Sequence, residues 1–146
     1  MTVDVITEIL IKRPVHEVAA YAADPTNAPE WYANIDSIEW KTEPPVAQGS
    51  SVAFVARFLG RRLEYTYDLV ELDPGERLVM RTQQGPFPME TTYTWEATDD
   101  GSTRMTLRTR GAPSGLSQVA AAVMQPAMRR ANRKDLVNIK RILESR

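Results

Sequence analysis

Four turn signals divide the stretch between Val52 and Arg110, and each brings large side chains to the same side of one antiparallel sheet. Gly60-Arg61 fits a two-residue hairpin with glycine first, as a type II′ turn requires. Counting outward predicts Phe58 opposite Leu63, Ala56 opposite Tyr65, Phe54 opposite Tyr67 and Val52 opposite Leu69. A four-residue loop at Asp73–Glu76 predicts Leu69 opposite Met80. Across Gly85–Pro88 the expected partners are Thr82 with Thr91, Met80 with Tyr93 and Leu78 with Trp95. Asp99-Asp100-Gly101 suits a three-residue hairpin with a left-handed glycine, aligning Trp95 with Met105, Tyr93 with Leu107 and Thr91 with Thr109. The other face then carries Arg57, Glu64, Asp68, Arg81, Glu90, Glu96, Arg104, Arg108 and Arg110, a surface suited to water. A slip of one residue in any hairpin would turn arginine into the core, so agreement among the turns fixes the face.

The flanks complete the architecture. Val3, Val5, Thr7, Ile9 and Ile11 alternate with Asp4 and Glu8, predicting a strand over about Thr2–Ile11. Pro14 suits the first turn of a helix that carries Val15, Val18, Ala19 and Ala22 at helical spacing. Asp24-Pro25 starts a second helical turn ending near Trp31 and Tyr32, and a short strand follows around Ile35–Thr42. The segment from Ser114 to about Glu144 is rich in helix formers. The expected fold is α+β: a curved seven-stranded antiparallel sheet wrapped around a long C-terminal helix, with two short helices after the first strand. No repeat or linker interrupts the chain, so residues 1–146 are read as a single domain.

A sheet with one apolar face has to be covered, and the C-terminal helix is the element long enough to do it. Leu116, Val119, Ala120, Val123 and Ala127 define one apolar stripe, while Leu136, Ile139 and Leu143 define another roughly opposite. Pro126 lies between the two, so a kink or break there is expected to re-aim the second half. The first half offers mostly alanine, which leaves space beneath it. Such space favours a pocket for a small hydrophobic molecule, since apolar walls with a few polar handles are how such sites are built. The candidate ligand-binding residues are Trp31, Phe54, Phe58, Tyr65, Tyr67, Met80, Thr82, Thr91, Tyr93, Trp95, Met105, Leu107, Ala120, Val123, Met124 and Ala127. Met124 and Met128 are able to adapt to ligand shape. The competing reading is that aromatic and methionine stripes of this kind are ordinary core.

Composition narrows the chemistry. The formal net charge of −1 supplies no global field for nucleic acid, and the basic residues from Arg129 to Arg141 read as a solvated helix face. Cysteine is absent, which excludes disulfides, thiolate zinc sites and cysteine nucleophiles. No stretch reaches the roughly 18 apolar residues of a membrane span, and the opening residues lack a basic start, so a cytoplasmic protein without stable membrane insertion is expected. His16, the one histidine, reads as a surface residue of the first helix. No metal site and no cofactor is predicted. Glu71 and Glu39 fall at or near the inner face and are more readily placed at a wet rim than as bases. Tyr65, Tyr67 and Tyr93 are suited to donating a hydrogen bond to a ligand carbonyl or enolate. No catalytic constellation is recognisable.

The segments ILIKRPVHEVAAYAADPTNAPEWYANIDSIEW, LVELDPGERLVMRT and YTWEATDDGSTRMTLRT, with the closing NRKDLVNIKRILES, resemble the START/Bet v 1-like superfamily, in particular its polyketide cyclase/dehydrase and lipid-transport branch. The resemblance covers essentially the whole chain and rests on structural motifs. It implies a helix-grip fold whose cavity, between sheet and C-terminal helix, holds lipids, polyketides, sterols or similar molecules; some members are cyclases and others carriers. Three functions follow as expectations: a domain that binds a small hydrophobic ligand, a cyclase- or dehydratase-like enzyme using the same cavity, and an interaction module that forms a homodimer through a sheet edge or the loop near Trp31.

Overall fold

The computed structural model describes residues 3–58, 60–82, 88–111 and 117–146, and excludes the side chains of Phe58 and residues 117–121. Strand β1 (Val3–Ile11) leads into α1 (Val15–Ala23), a 3-10 turn (Pro25–Asn27) and α2 (Ala28–Trp31). Six strands follow: β2 (Ile35–Trp40), β3 (Ser51–Phe58), β4 (Arg61–Asp73), β5 (Arg77–Thr82), β6 (Met89–Ala97) and β7 (Thr103–Gly111); α3 (Ser117–Glu144) closes the fold. The described strands form one sheet in the order β1-β7-β6-β5-β4-β3-β2, with every neighbouring pair antiparallel. This is the helix-grip arrangement.

Local chemistry explains the entries into the short helices. Pro14 precedes α1 with extended backbone, and the Asp24 side chain accepts from the Thr26 N–H at 3.0 Å to start the 3-10 turn. Such an acceptor satisfies a donor that has no helical partner.

The sheet keeps the predicted inner face but revises two registers. At the β6–β7 hairpin Trp95 faces Met105, Tyr93 faces Leu107 and Thr91 faces Thr109, with Gly101 left-handed at φ 80°. Between β3 and β4 the pairs are Ala56 with Leu63, Phe54 with Tyr65 and Val52 with Tyr67, two residues from expectation because Phe58 already pairs with Arg61. Between β5 and β6 they are Thr82 with Met89, Met80 with Thr91 and Leu78 with Tyr93, again displaced by two. A shift of two preserves which face each side chain takes, because strand periodicity is two.

Leu69 does face Met80, by another route than predicted. Asp73 pairs with Arg77, which shortens the loop, and a bulge between Leu69 and Glu71 restores the alignment. The bulge also moves Glu71 off the inner face, where it pairs with Arg77 at 2.9 Å in solvent. A second bulge lies in β2 between Ile35 and Ser37. Bulges bend the strand that carries them and raise its twist, so both assist the sheet in wrapping around α3.

The outer face is bound by ion pairs. Glu90 receives Arg81 at 2.7 Å and Arg110 at 2.8 Å, and Asp4 receives both Nε and Nη2 of Arg108.

Helix α3 departs most from expectation. It runs unbroken through Pro126. Its inward stripe is continuous: at about 100° per residue, Met124, Met128, Ala131, Asp135, Ile139 and Ile142 share one sector of about 80°, with Leu136 and Leu143 beside it. Val123, placed inward by the sequence reading, is 65% exposed, whereas Leu136, Ile139 and Leu143 are fully buried. No break separates the two predicted stripes; of the first, Val123 is turned to solvent, and the second is buried. Leu116 lies outside the described residues, as do the side chains of Val119 and Ala120.

The core is divided. A large cluster joins Ile11, Val18, Tyr21, Trp31, Leu78, Trp95, Met105 and Leu107 to Leu136, Ile139 and Leu143. A small one joins Val3 and Val5 to Met128, with Met89 and Met124 packed against it.

Candidate functional site

A cavity of about 130 Å³ is lined by members of both clusters: Phe54, Tyr67 and Met80 from the larger, Met89, Met124 and Met128 from the smaller. Strands β3 to β7 supply one wall and α3 the other. Each wall also carries an alanine, Ala56 on β3 and Ala131 on α3, which leaves space that a larger residue would fill.

Of the sequence-predicted residues, Phe54, Tyr65, Tyr67, Met80, Thr91 and Met124 line this cavity. Trp31, Thr82, Tyr93, Trp95, Met105 and Leu107 are instead buried in packing around it. Trp31 is 1% exposed, lies tilted against Tyr32 at 4.1 Å and edge-on to Tyr93 at 5.7 Å, and so presents no surface to a partner chain. Val123 and Ala127 are turned about 120° and about 80° from Asp135 around α3, and neither contributes to the lining. The side chains of Phe58 and Ala120 lie outside the described residues.

The polar side of the cavity was only partly foreseen. The Tyr67 and Thr91 hydroxyls are 3.4 Å apart, Asn132 Nδ2 donates to Thr109 Oγ1 at 3.2 Å, and the Tyr32 and Tyr93 hydroxyls are hydrogen-bonded to each other. Burial raises the pKa of all four phenols, Tyr32, Tyr65, Tyr67 and Tyr93, so each keeps its proton.

The residue that sequence reasoning missed is Asp135. It lines the cavity, is 3% exposed, and among the described residues accepts one hydrogen bond, from the Ala33 N–H at 2.9 Å. Burial pushes its carboxyl up to about 7, against weaker downward pulls from the Ala33 N–H and from Lys134. A carboxyl poised there is present in both protonation states near neutrality, which suits either proton transfer or charge recognition. The missed signal was positional: Asp135 lies four residues before Ile139 and seven after Met128, on the stripe that buries both.

Other candidates are placed away from this chemistry. Glu39 is exposed and pairs with Lys41 at 3.4 Å. His16 is exposed on the rim of a separate groove of about 750 Å³ between α1, residues 44–46 and the β4–β5 turn, where Trp40 and Trp95 form the apolar floor. Among the described residues no group of three His, Cys, Asp or Glu is placed to hold a metal ion, and no helix is long and apolar enough to cross a membrane.

The solved structures similar to this fold include the Zhui aromatase/cyclase from Streptomyces sp. R1128, at a TM-score of 0.86 and 16% identity, covering 99% of this chain and 94% of that one. A protein from Thermus thermophilus matches at a TM-score of 0.82 and 18% identity, over 97% of this chain and 98% of the other. A START superfamily protein from Mycobacterium smegmatis matches at 0.74 and 12% identity, over 97% and 94%. At these identities the likeness is one of fold. No curated protein matches the sequence closely enough to add to it. The sequence itself fits the family described as polyketide cyclase/dehydrase and lipid transport over residues 2–144, and with sheet, helix and intervening cavity all in place, the chain belongs to that family.

Proposed function

We propose that this domain binds a small, largely apolar molecule, a lipid, polyketide or similar compound, in the cavity between the sheet and α3. The observation that carries the reading is the lining itself: Phe54, Met80, Met124 and Met128 form apolar wall, while Tyr65, Thr91, Asn132 and Asp135 supply separated polar handles. A purely structural core gains nothing from a buried carboxyl and neutral phenols around empty space. The test uses the neutral fluorescent dye N-phenyl-1-naphthylamine with the parent protein and with Ala131→Phe and Ala56→Phe, which fill the cavity from opposite walls. Fluorescence enhancement by the parent, lost in both folded variants, supports the reading. Equal enhancement by all three would show that the dye binds elsewhere and would remove it. Native mass spectrometry of the purified protein then identifies any hydrophobic molecule carried through purification.

A second reading, a cyclase- or dehydratase-like enzyme in the same cavity, is favoured by Asp135 together with Tyr65. The carboxylate would take a proton from carbon beside a ligand carbonyl while the phenol donates to the oxygen that gains charge. Turnover of a poly-β-ketone substrate falling about 10²–10⁴-fold in Asp135→Asn is the expected result. An unchanged rate in both Asp135→Asn and Tyr65→Phe sinks that reading.

A further inference from the structure

We infer that Asp135 is the counter-charge for a ligand carrying one basic nitrogen, a protonated amine on an otherwise apolar frame, seated in the cavity between sheet and α3. The inference rests on the binding reading above and names the chemical class of the ligand.

Among the described residues Asp135 has no cation bonded to it. It is buried in the cavity wall and, among the described residues, takes one hydrogen bond, at Oδ1 from Ala33 N–H. Buried carboxylates are ordinarily paired with a cation or held by several donors. Here the groups that face Asp135 are phenols: Tyr32 beyond α2, Tyr65 on β4 and Tyr93 on β6. Tyr32 and Tyr93 already bond to each other. Arg57, the one cation of the lining among the described residues, is held at the rim by Asp36 at 2.9 Å. Lys134 on the same helix is exposed, and its pull on Asp135 is the weakest of the influences on that carboxyl. Among the described residues, none supplies the missing partner.

Anchoring alone does not explain an acid at this position. Asparagine would accept from Ala33 equally well and bring no charge. One turn along α3 an amide already anchors the same segment, where Asn138 Nδ2 donates to the Trp31 carbonyl at 3.2 Å. What Asp135 adds over asparagine is a negative charge aimed at a cavity otherwise lined by neutral groups on its inner side. A ligand ammonium completes that charge, the surrounding phenols accept its remaining N–H groups, and the methionines Met89, Met124 and Met128 cover its apolar frame.

The sign of the pH dependence separates this ligand class from a neutral one. A protonated amine binds best when Asp135 is ionised, above about 7, and its binding below that point releases a proton. A ketone or other neutral acceptor would bind best below about 7, where the carboxyl donates.

The experiment uses two probes of the same shape, 2-phenylethylamine and 2-phenylethanol, titrated into the protein by NMR at about pH 5.5 and about pH 8.5, on either side of the Asp135 transition near 7. The expected result is an amine preference of at least about tenfold at the higher pH, falling by about tenfold at the lower as the carboxyl protonates. In Asp135→Asn the preference disappears while the alcohol still binds. An alcohol that binds with no amine preference at the higher pH overturns the inference and leaves the cavity reading standing. A preference that persists at the lower pH, or in the variant, also overturns it. Binding of neither probe overturns both readings. If the variant does not fold, the pH comparison in the parent protein decides alone.

Discussion

Replacing Asp135 by asparagine tests whether the cavity wall is as dry as its geometry indicates. The carboxyl titrates near 3.8 in an unfolded chain and near 7 in the fold, so folding raises it by roughly three units. Each unit corresponds to about 1.4 kcal/mol of differential stability. The folded state therefore holds the proton more tightly than the unfolded state. Stability from this group is fully present below about 3.8, is lost steadily as pH rises, and is gone above about 7. The parent protein should lose about 4 kcal/mol relative to Asp135→Asn between about pH 4 and about pH 8. Asparagine keeps the acceptor for Ala33 N–H and nearly the same volume, so other contributions to the difference stay constant with pH. Urea denaturation of both proteins at several pH values across that interval gives the two curves, and their difference removes every other titrating group. A difference that varies by less than about 1 kcal/mol over the interval would show Asp135 to be well solvated. Ligand should reverse the trend if it brings the missing cation, since it binds only the folded state.

Three further outcomes follow from the packing. Ile139→Ala, which truncates a fully buried side chain, should cost about 2–5 kcal/mol in chemical denaturation, while Val123→Ala should stay within about 0.5 kcal/mol; comparable losses would mean the inward stripe of α3 is misplaced. Gly101→Ala meets no atom within 4 Å but retains φ near 80°, so it should cost about 1–2 kcal/mol from backbone strain alone, measurable as a lowered Tm. Glu90→Gln should cost less than about 1 kcal/mol near neutral pH. The Arg110 and Arg81 guanidiniums hold the Glu90 carboxyl below its usual range, so that contribution is present at neutral pH and vanishes as pH falls through the folded value; a cost that persists in acid would not be electrostatic.

The inner face of the sheet was legible because its signal has a period of two. Turn geometry at Asp99–Gly101 yielded the observed register directly. At Gly60 and at 85–88 the predicted pairing was displaced by two residues, which left every inward side chain inward. The compensation at β4 was not legible, since nothing in the local sequence marks Val70 as the bulged residue that carries Glu71 out to Arg77. Helix α3 was misread for a physical reason. A search for apolar periodicity weighs Val123 above Asn132 and Asp135, yet a helix wall that faces a polar-lined cavity carries polar residues inward. The Asp135 carboxyl was hidden by the same property that marks it.

The sheet order has a consequence for how the chain reaches this state. Strand β1 pairs with β7, so Val3 meets Gly111 across nearly the whole sheet sequence, and α3 packs on β1. The earliest residues wait without a strand partner until those near 111 are in place, while the hairpins from β3 to β7 zip up locally. Long-range closure of this kind is entropically slow, which puts folding in the millisecond-to-second range typical of non-local topologies. Throughout that wait Ile6 and Leu10, still partly exposed in the finished fold, sit on an unpaired edge, so self-association during refolding should concentrate at the first strand.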